Sequence, residues 1–294
     1  MLDYLQFVLA PQMITGLVLG VAVILVALGL TVIFGLLDVI NMAHGEFYAL
    51  GAFISVALGA LGLPFWLLLL VVPLLMLPIG YITERWLVQR VFHSGERHVT
   101  TLLLTFGLGL VLEDTLRLLF GPNPMKPSTP IQGGVELVGI FTPTYRIVLI
   151  VIGALIIAGV ASVVYLTRLG AMVRAAAFDH QMAGSLGVPV RLVYAGAFAF
   201  GIALAGLAGV LLAPIYSVFP TMGRDFILMA FTVVIVGGMG SIAGAVVAGL
   251  LLTQVQAIAS LYIPPVWTDP IVFGIMVAML IVRPQGLFGR LGHA

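Results

Sequence analysis

The chain has 294 residues, of which 62% are hydrophobic and only 8% charged, and its mean hydropathy is +1.25. Soluble domains carry about 25% charged residues, and 12 basic with 11 acidic side chains are too few to coat a water-facing surface of this size. A net charge of +1 without clustered Lys and Arg argues against nucleic-acid binding, and the absence of cysteine excludes disulfides, zinc–thiolate sites and thiol nucleophiles.

Lipid must therefore be the solvent. In lipid every backbone amide needs an internal partner, so a spanning element is either a helix or part of a closed barrel. A barrel requires short segments of period-two alternation. This chain has long unbroken apolar runs instead, and strand elements are not expected. A helical span takes about 20 apolar residues to cross about 30 Å of hydrocarbon. In chain order the runs 13–37, 45–61, 64–81, 99–119, 147–167, 192–213, 226–256 and 267–282 meet this. They predict an all-α, polytopic transmembrane helical bundle of about 8 spans in one membrane-embedded domain covering 1–294. Residues 1–11 lack the basic n-region of a signal peptide and read as part of a retained first span. The segment 45–61 is short and Gly-rich, and 226–256 is too long for one helix and interrupted at Gly237, Gly238 and Gly240; both are discontinuous or re-entrant candidates.

Between the first two runs lies the densest polar stretch of the apolar sequence, Asp38, Asn41, His44 and Glu46. Ionisable groups at membrane depth are expensive and face protein or water. Two readings stand: an interfacial loop with Asn41 or Asp38 capping the second helix, or Asn41, His44 and Glu46 placed beside a translocation path. Further on, Glu113 and Arg117 are four apart on one helix face, beside Asp114, and predict a salt bridge at the end of a span. Gly121 to Pro130 is Pro-rich and predicts an irregular loop. The Ala-rich stretch after Arg174 predicts a short helix ending at Gly187, before Pro189. The Gly237 to Ser241 turn either packs helices or offers freed amides to a carboxylate.

Small residues at every fourth position, Ala197, Gly201, Ala205 and Gly209, predict close helix packing, as do Gly16 with Gly20 and Gly240 with Gly244. Thr31, Val32, Ile33 and Gly35, leading to Pro64 and Trp66, are echoed by Thr232, Val233, Val234 and Gly237, leading to Pro264 and Trp267. Transporters often place Gly-interrupted segments at matching positions of two repeats.

Lys and Arg in short loops stay on the cytoplasmic side. Arg85, Arg90 and Arg97, then Arg168, Arg174 and Arg191, and finally Arg283 and Arg290 are assigned inside; Lys126, Arg146 and Arg224 fall outside.

The stretch Gly29 to Ala52 with Asn41, His44, Gly45 and Glu46 resembles one family, the membrane-spanning permease of bacterial ABC importers for branched-chain amino acids. The Arg174 to Val188 loop, Ala205 to Leu211, Gly237 to Ser241 with Gly244 and Ala245, and Arg283 to Gly289 carry the same resemblance in the same order. It implies a multi-pass protein of the bacterial inner membrane and no cofactor. Its implied partners are a second permease, a sister protein in such systems, two ATP-binding subunits, an extracytoplasmic substrate-binding protein and the bilayer. It implies that Arg174, Ala175, Ala177, Asp179, Ala183, Leu186 and Gly187 belong to a coupling helix seated on the ATPase. Arg174 stands where older importers carry an acidic residue. It also implies leucine, isoleucine and valine as cargo, with relatives that carry other amino acids, urea or short amides; the polar and glycine positions Asn41, His44, Glu46, Gly237, Gly238, Gly240 and Ser241 are expected along their path.

No Walker A pattern occurs, so ATP hydrolysis belongs to another subunit. A gradient-driven transporter using Asp38, His44 and Glu46 as a proton relay shares the composition but does not account for the docking loop. An intramembrane hydrolase lacks a Gly-x-Ser-x-Gly nucleophile, and Asp114 and Asp269 have no evident catalytic partner.

Overall fold

The computed structural model describes residues 5–91, 96–137 and 140–289, so Arg290 lies outside the described residues. Its helices are α1 (Ala10–Leu37), α2 (His44–Ala60), α3 (Phe65–Thr83), α4 (Arg97–Phe120), α5 (Thr144–Leu166), α6 (Arg168–Phe178), α7 (His180–Ser185), α8 (Val190–Leu212), α9 (Met222–Gly237), α10 (Ile242–Ala259) and α11 (Thr268–Val282). Helix α3 continues through a π-helical turn, Glu84–Val88, and a last helical turn to Val91.

Proline and glycine set many of these boundaries. Pro11 lies in the first turn of α1, where its missing N–H has no intrahelical partner to lose, and Pro64, Pro143 and Pro189 immediately precede α3, α5 and α8. The Thr167 hydroxyl caps α6 by accepting from the Gly170 amide at 3.1 Å.

Among the described residues, five helices are long and apolar enough to cross a bilayer: Phe7–Leu37, Phe65–Val91, Thr144–Leu166, Val190–Leu212 and Ile242–Ala259. The predicted runs match helices, and the differences have causes. Helix α4 has the length, 24 residues, but carries Glu113, Asp114 and Arg117. Helices α2 and α9, with 17 and 16 residues, reach only about 25 Å, short of the hydrocarbon thickness. The run 226–256 divides at the predicted glycines into α9 and α10.

Burial separates the spans into a centre and a rim. The most apolar windows of α1 and α8 are 83% and 89% buried, whereas those of α3 and α5 are only 22% and 17% buried and present their apolar surface to lipid. The centre packs through small residues. Gly29 of α1 lies against the backbone of Gly201 in α8, Gly209 against Tyr48 and Ala52 in α2, and Gly35 against Gly240. Along α1, Gly16, Gly20 and Ile24 meet Gln254, Thr253 and Gly249 of α10, so these two helices are antiparallel.

At the arginine-rich end, Val32 and Leu36 of α1 pack with Ala176, Ala183 and Ala197. Helix α2 does not begin at that end. The His44 ring reaches Val26, about 16 Å back along α1 from its end at Leu37. Residues 38–43 therefore fold back into the bundle, and α2 starts in its interior. Helix α9 also has an interior start, since Gly223 touches Gly45, and it runs from there to the C-terminal segment at Gly289. The sequence echo falls on a shared order of helix, break, helix, Pro-led turn and helix, with Thr31 and Thr232 both buried ahead of the breaks.

Two expectations are corrected. Strands occur: Gly134–Leu137 (β1) pairs antiparallel with Ile140–Pro143 (β2). They lie in the segment between α4 and α5, so the argument from unbroken apolar runs did not apply to them. The single helix expected between Arg174 and Gly187 is two, because Asp179 leaves the helical conformation and caps α7, accepting from the Gln181 and Met182 amides at 2.9 Å each.

A methyl group added at Gly51 falls on the backbone of Gly206, whereas nothing lies within 4 Å of one added at Gly159. Gly51→Val is expected to lower the thermal midpoint of the detergent-solubilised protein, at a cost of about 1–3 kcal/mol. Gly159→Ala should leave it unchanged or raise it slightly.

Candidate functional site

The break between α1 and α2 opens with Asp38, the only non-glycine residue with positive φ among the described residues. Its backbone is left-handed, at φ 51°, and its amide donates to the Phe34 carbonyl at 2.8 Å, closing α1. Asp38 thus ends the first helix rather than capping the second, and its carboxylate lies 3.6 Å from exposed His98. Asn41 makes the next turn, its Oδ1 accepting from the Ala43 amide at 3.1 Å.

Thr105 of α4 supports the same segment from the side. Its hydroxyl accepts from the Met42 amide and donates to the Ile40 carbonyl, both at 3.1 Å. Irregular backbone is thereby satisfied inside the bundle. His44 is fully buried. Nε2 donates to the Val26 carbonyl at 3.0 Å, which fixes the tautomer and leaves Nδ1 as an acceptor without a partner among the described residues.

Glu46 lies in the first turn of α2 with its carboxylate against Gly223, at the start of α9. It is 4% exposed, and Oε2 has no hydrogen-bond partner among the described residues. Gly109 of α4 lies against its stem. The three helices flank an open cavity of about 210 Å³ that Glu46 shares with Glu113, Arg224 and apolar side chains. The predicted Glu113–Arg117 pair is present at 2.8 Å. Buried Glu113 also receives Arg224 at 2.5 Å.

Arg224 is the residue that sequence reasoning missed. A position ahead of an apolar run assigns it to an external loop, whereas α9 starts at Met222 and holds it in its first turn, where its guanidinium meets Glu113.

Asn41, His44 and Glu46 come together in this way, but Gly237, Gly238, Gly240 and Ser241 do not join them. They lie at the other end of α9, roughly 20 Å away along its axis. Gly238 and Gly240 have φ of 100° and 80°, and the Ser241 hydroxyl caps α10 at Gly244. The Val236 and Gly237 carbonyls accept from the Leu287 and Phe288 amides at 2.8 and 3.0 Å, so the C-terminal segment fills the turn.

On the arginine-rich end, Phe178, Met182 and Leu186 follow at four-residue intervals and are 85%, 62% and 80% exposed. Ala175, Ala177 and Asp179 are exposed beside them, while Ala183 is buried against the bundle. Arg174 folds back, its guanidinium donating to the Val164 carbonyl and lying 6.0 Å from the Tyr165 ring centre. Gly187 closes the segment with φ 86° and open space around it.

Residues 12–280 match the family model described as the permease component of the branched-chain amino acid transport system. The chain belongs to this family. The permease is 31% identical over 292 residues to the high-affinity branched-chain amino acid transport system permease protein LivH of Salmonella typhimurium, with 95% of each chain covered. It is 32% identical over 300 residues to BraD of Pseudomonas aeruginosa, again covering 95% of each. LivM of Escherichia coli is 28% identical over 291 residues, which is 90% of this chain and 67% of that one.

Thr105→Val keeps the volume of the side chain and strips the Met42 amide and Ile40 carbonyl of their partner. It is expected to cost about 1–3 kcal/mol, read as a lower unfolding midpoint in detergent. Thr115→Val, on an exposed face where the hydroxyl only returns to the Val111 carbonyl, should change the midpoint little.

Proposed function

We propose that the permease forms the transmembrane path of an ATP-driven importer of branched-chain amino acids in a bacterial plasma membrane, powered by two separate ATP-binding subunits and fed by an extracytoplasmic binding protein. The observation that carries the reading is the row Phe178, Met182 and Leu186 on α6, α7 and the turn after them. Three large apolar side chains standing clear of the bundle beside the arginine-rich loops suit a partner surface rather than water.

The docking segment is stiff. Thr167 and Asp179 cap its two helices, and Ala176 and Ala183 seat it on Val32, Leu36 and Ala197. A push on the row therefore reaches α1, whose end leads directly into the Asp38 to Ala43 break. The residues implied for coupling divide accordingly. Ala175, Ala177, Asp179 and Leu186 face outward, Ala183 and Arg174 anchor the segment, and Gly187 permits the return into α8.

The second permease subunit is read as a sister chain, because two permease proteins named separately in Escherichia coli, LivH and LivM, both align with this one. Asn41, His44 and Glu46 stand beside the path, and the Gly237 to Ser241 turn is a packed hinge between α9 and α10. Co-purification tests the reading. A tagged permease should bring down ATP-binding subunits, and uptake should cease on ATP depletion with the membrane potential clamped; uptake that persists would overturn it.

Phe178→Asp with Leu186→Asp is expected to reduce ATPase recovery at least about tenfold while membrane insertion stays normal. Gly187→Trp places a large side chain on a left-handed backbone. Its complex should hydrolyse ATP with little transport, measured in proteoliposomes as substrate taken up per ATP.

A further inference from the structure

The cavity between α2, α4 and α9 holds two carboxylates, Glu46 and Glu113, one guanidinium, Arg224, and an apolar wall, a combination that the family assignment does not explain. We propose that it binds one free α-amino acid with an apolar side chain, Glu46 taking the ammonium and Arg224 the carboxylate. The proposal rests on the importer reading above and names the chemistry of its cargo at one point on the path.

Glu46 supplies the first half. Its carboxylate is almost wholly buried with Oε2 unpartnered, and a buried carboxylate needs donors. An ammonium brings both the opposite charge and three N–H groups. Helix α9 begins at the same place, so Gly223, whose position leaves no room for a side chain, lets the carboxylate lie against the backbone.

Arg224 supplies the second half. It is 57% exposed and now holds Glu113 at 2.5 Å, while Arg117 holds the other oxygen of Glu113 at 2.8 Å. Arg224 can therefore turn to a second carboxylate without leaving buried Glu113 uncompensated. Its planar fork matches a carboxylate better than an ammonium point charge would. Arg117 is shared between Glu113 and Asp114, so Glu46, Glu113, Asp114, Arg117 and Arg224 carry a net charge of −1; a zwitterion adds one charge of each sign and gives Glu46 a cation and Arg224 an anion without changing that balance.

The wall selects the side chain. Met42, Phe106, Leu110, Ile227 and Leu228 line the cavity and offer no partner for a third charge. Its volume, about 210 Å³, lies below the roughly 300–1,000 Å³ typical of drug-sized sites and suits a single small metabolite. Urea and short amides carry no charges for Glu46 and Arg224 and should bind poorly. The cavity is open along the seam of α4 and α9, where Phe106 and Leu228 are each 50% exposed, which keeps binding weak enough for release.

The test uses the complete complex of permeases and ATP-binding subunits in nanodiscs without the binding protein, so that recognition by the latter does not intrude. Radiolabelled leucine is the probe, with leucinamide, which lacks the carboxylate, and 4-methylpentanoate, which lacks the ammonium, as competitors. The wild type should favour leucine over each by about tenfold or more. Glu46→Gln should lose the preference over 4-methylpentanoate and keep that over leucinamide, and Arg224→Gln should do the reverse. Leu228→Trp, which fills the cavity from its open side, should abolish leucine binding in a complex that still holds its ATPases. An unchanged ranking in both charge variants, undiminished binding in Leu228→Trp, or no leucine binding by the wild type would each overturn the site. Failure of the importer reading is distinct, since the wild-type chain would then retain no ATPase.

Discussion

The constraint on which the rest depends is that a backbone leaving a helix inside a bilayer must find its hydrogen bonds in the protein. At residues 38–43 the partners are Asn41, which turns the chain, and Thr105, which serves Ile40 and Met42 from the next helix. Only with those bonds made can α2 begin in the interior. Only from there does Glu46 reach the start of α9. Helices that crossed the bilayer whole would leave it at an end, in water.

A second consequence follows from the small residues. Lipid gives helices no hydrophobic reason to associate, so contact area must come from backbone approach. Gly29 with Gly201, Gly51 with Gly206, and Gly45 with Gly223 bring α1, α2, α8 and α9 close enough for short polar side chains to act across them. The same closeness places the His44 ring on Val26 and the Glu46 carboxylate on Gly223. Packing and polar function are thus one arrangement here, and a methyl group at these glycines would disturb both.

The C-terminal end of α1 connects the exposed row of α6 and α7 with the interior. Ala176 and Ala183 rest on Val32 and Leu36, and two to six residues further along the chain begins the turn that Asp38 and Asn41 make. Helix α1 is nearly enveloped by protein, so a displacement at its end is transmitted through close packing rather than lost to lipid. Helices α3 and α5, exposed on the rim, carry the solvent role that charged surface plays in a soluble protein.

Composition and run length by themselves determined the membrane class, the helical architecture and the division of 226–256 at its glycines, because lipid permits few alternatives and glycine interrupts a helix locally. Asn41, His44 and Glu46 were readable as a group for the same reason: polar residues are rare in such a chain, and each must have a use. Position in depth was not readable. Whether residues 38–43 lie at the surface or fold inward depends on Thr105, more than sixty residues away, and on glycines of α8 and α9. Arg224 looked like a loop residue because hydropathy marks where apolar character starts and not where a helix does. The split of the Arg174 to Gly187 segment at Asp179 came from a competition between an alanine-favoured helix and a local side-chain cap, which propensity alone does not decide. Spacing along the chain sets the elements; the meeting of α2, α4 and α9, and with it the placing of Glu46 and Arg224 at one cavity, exists only in the packed bundle, where distant glycines let three backbones converge.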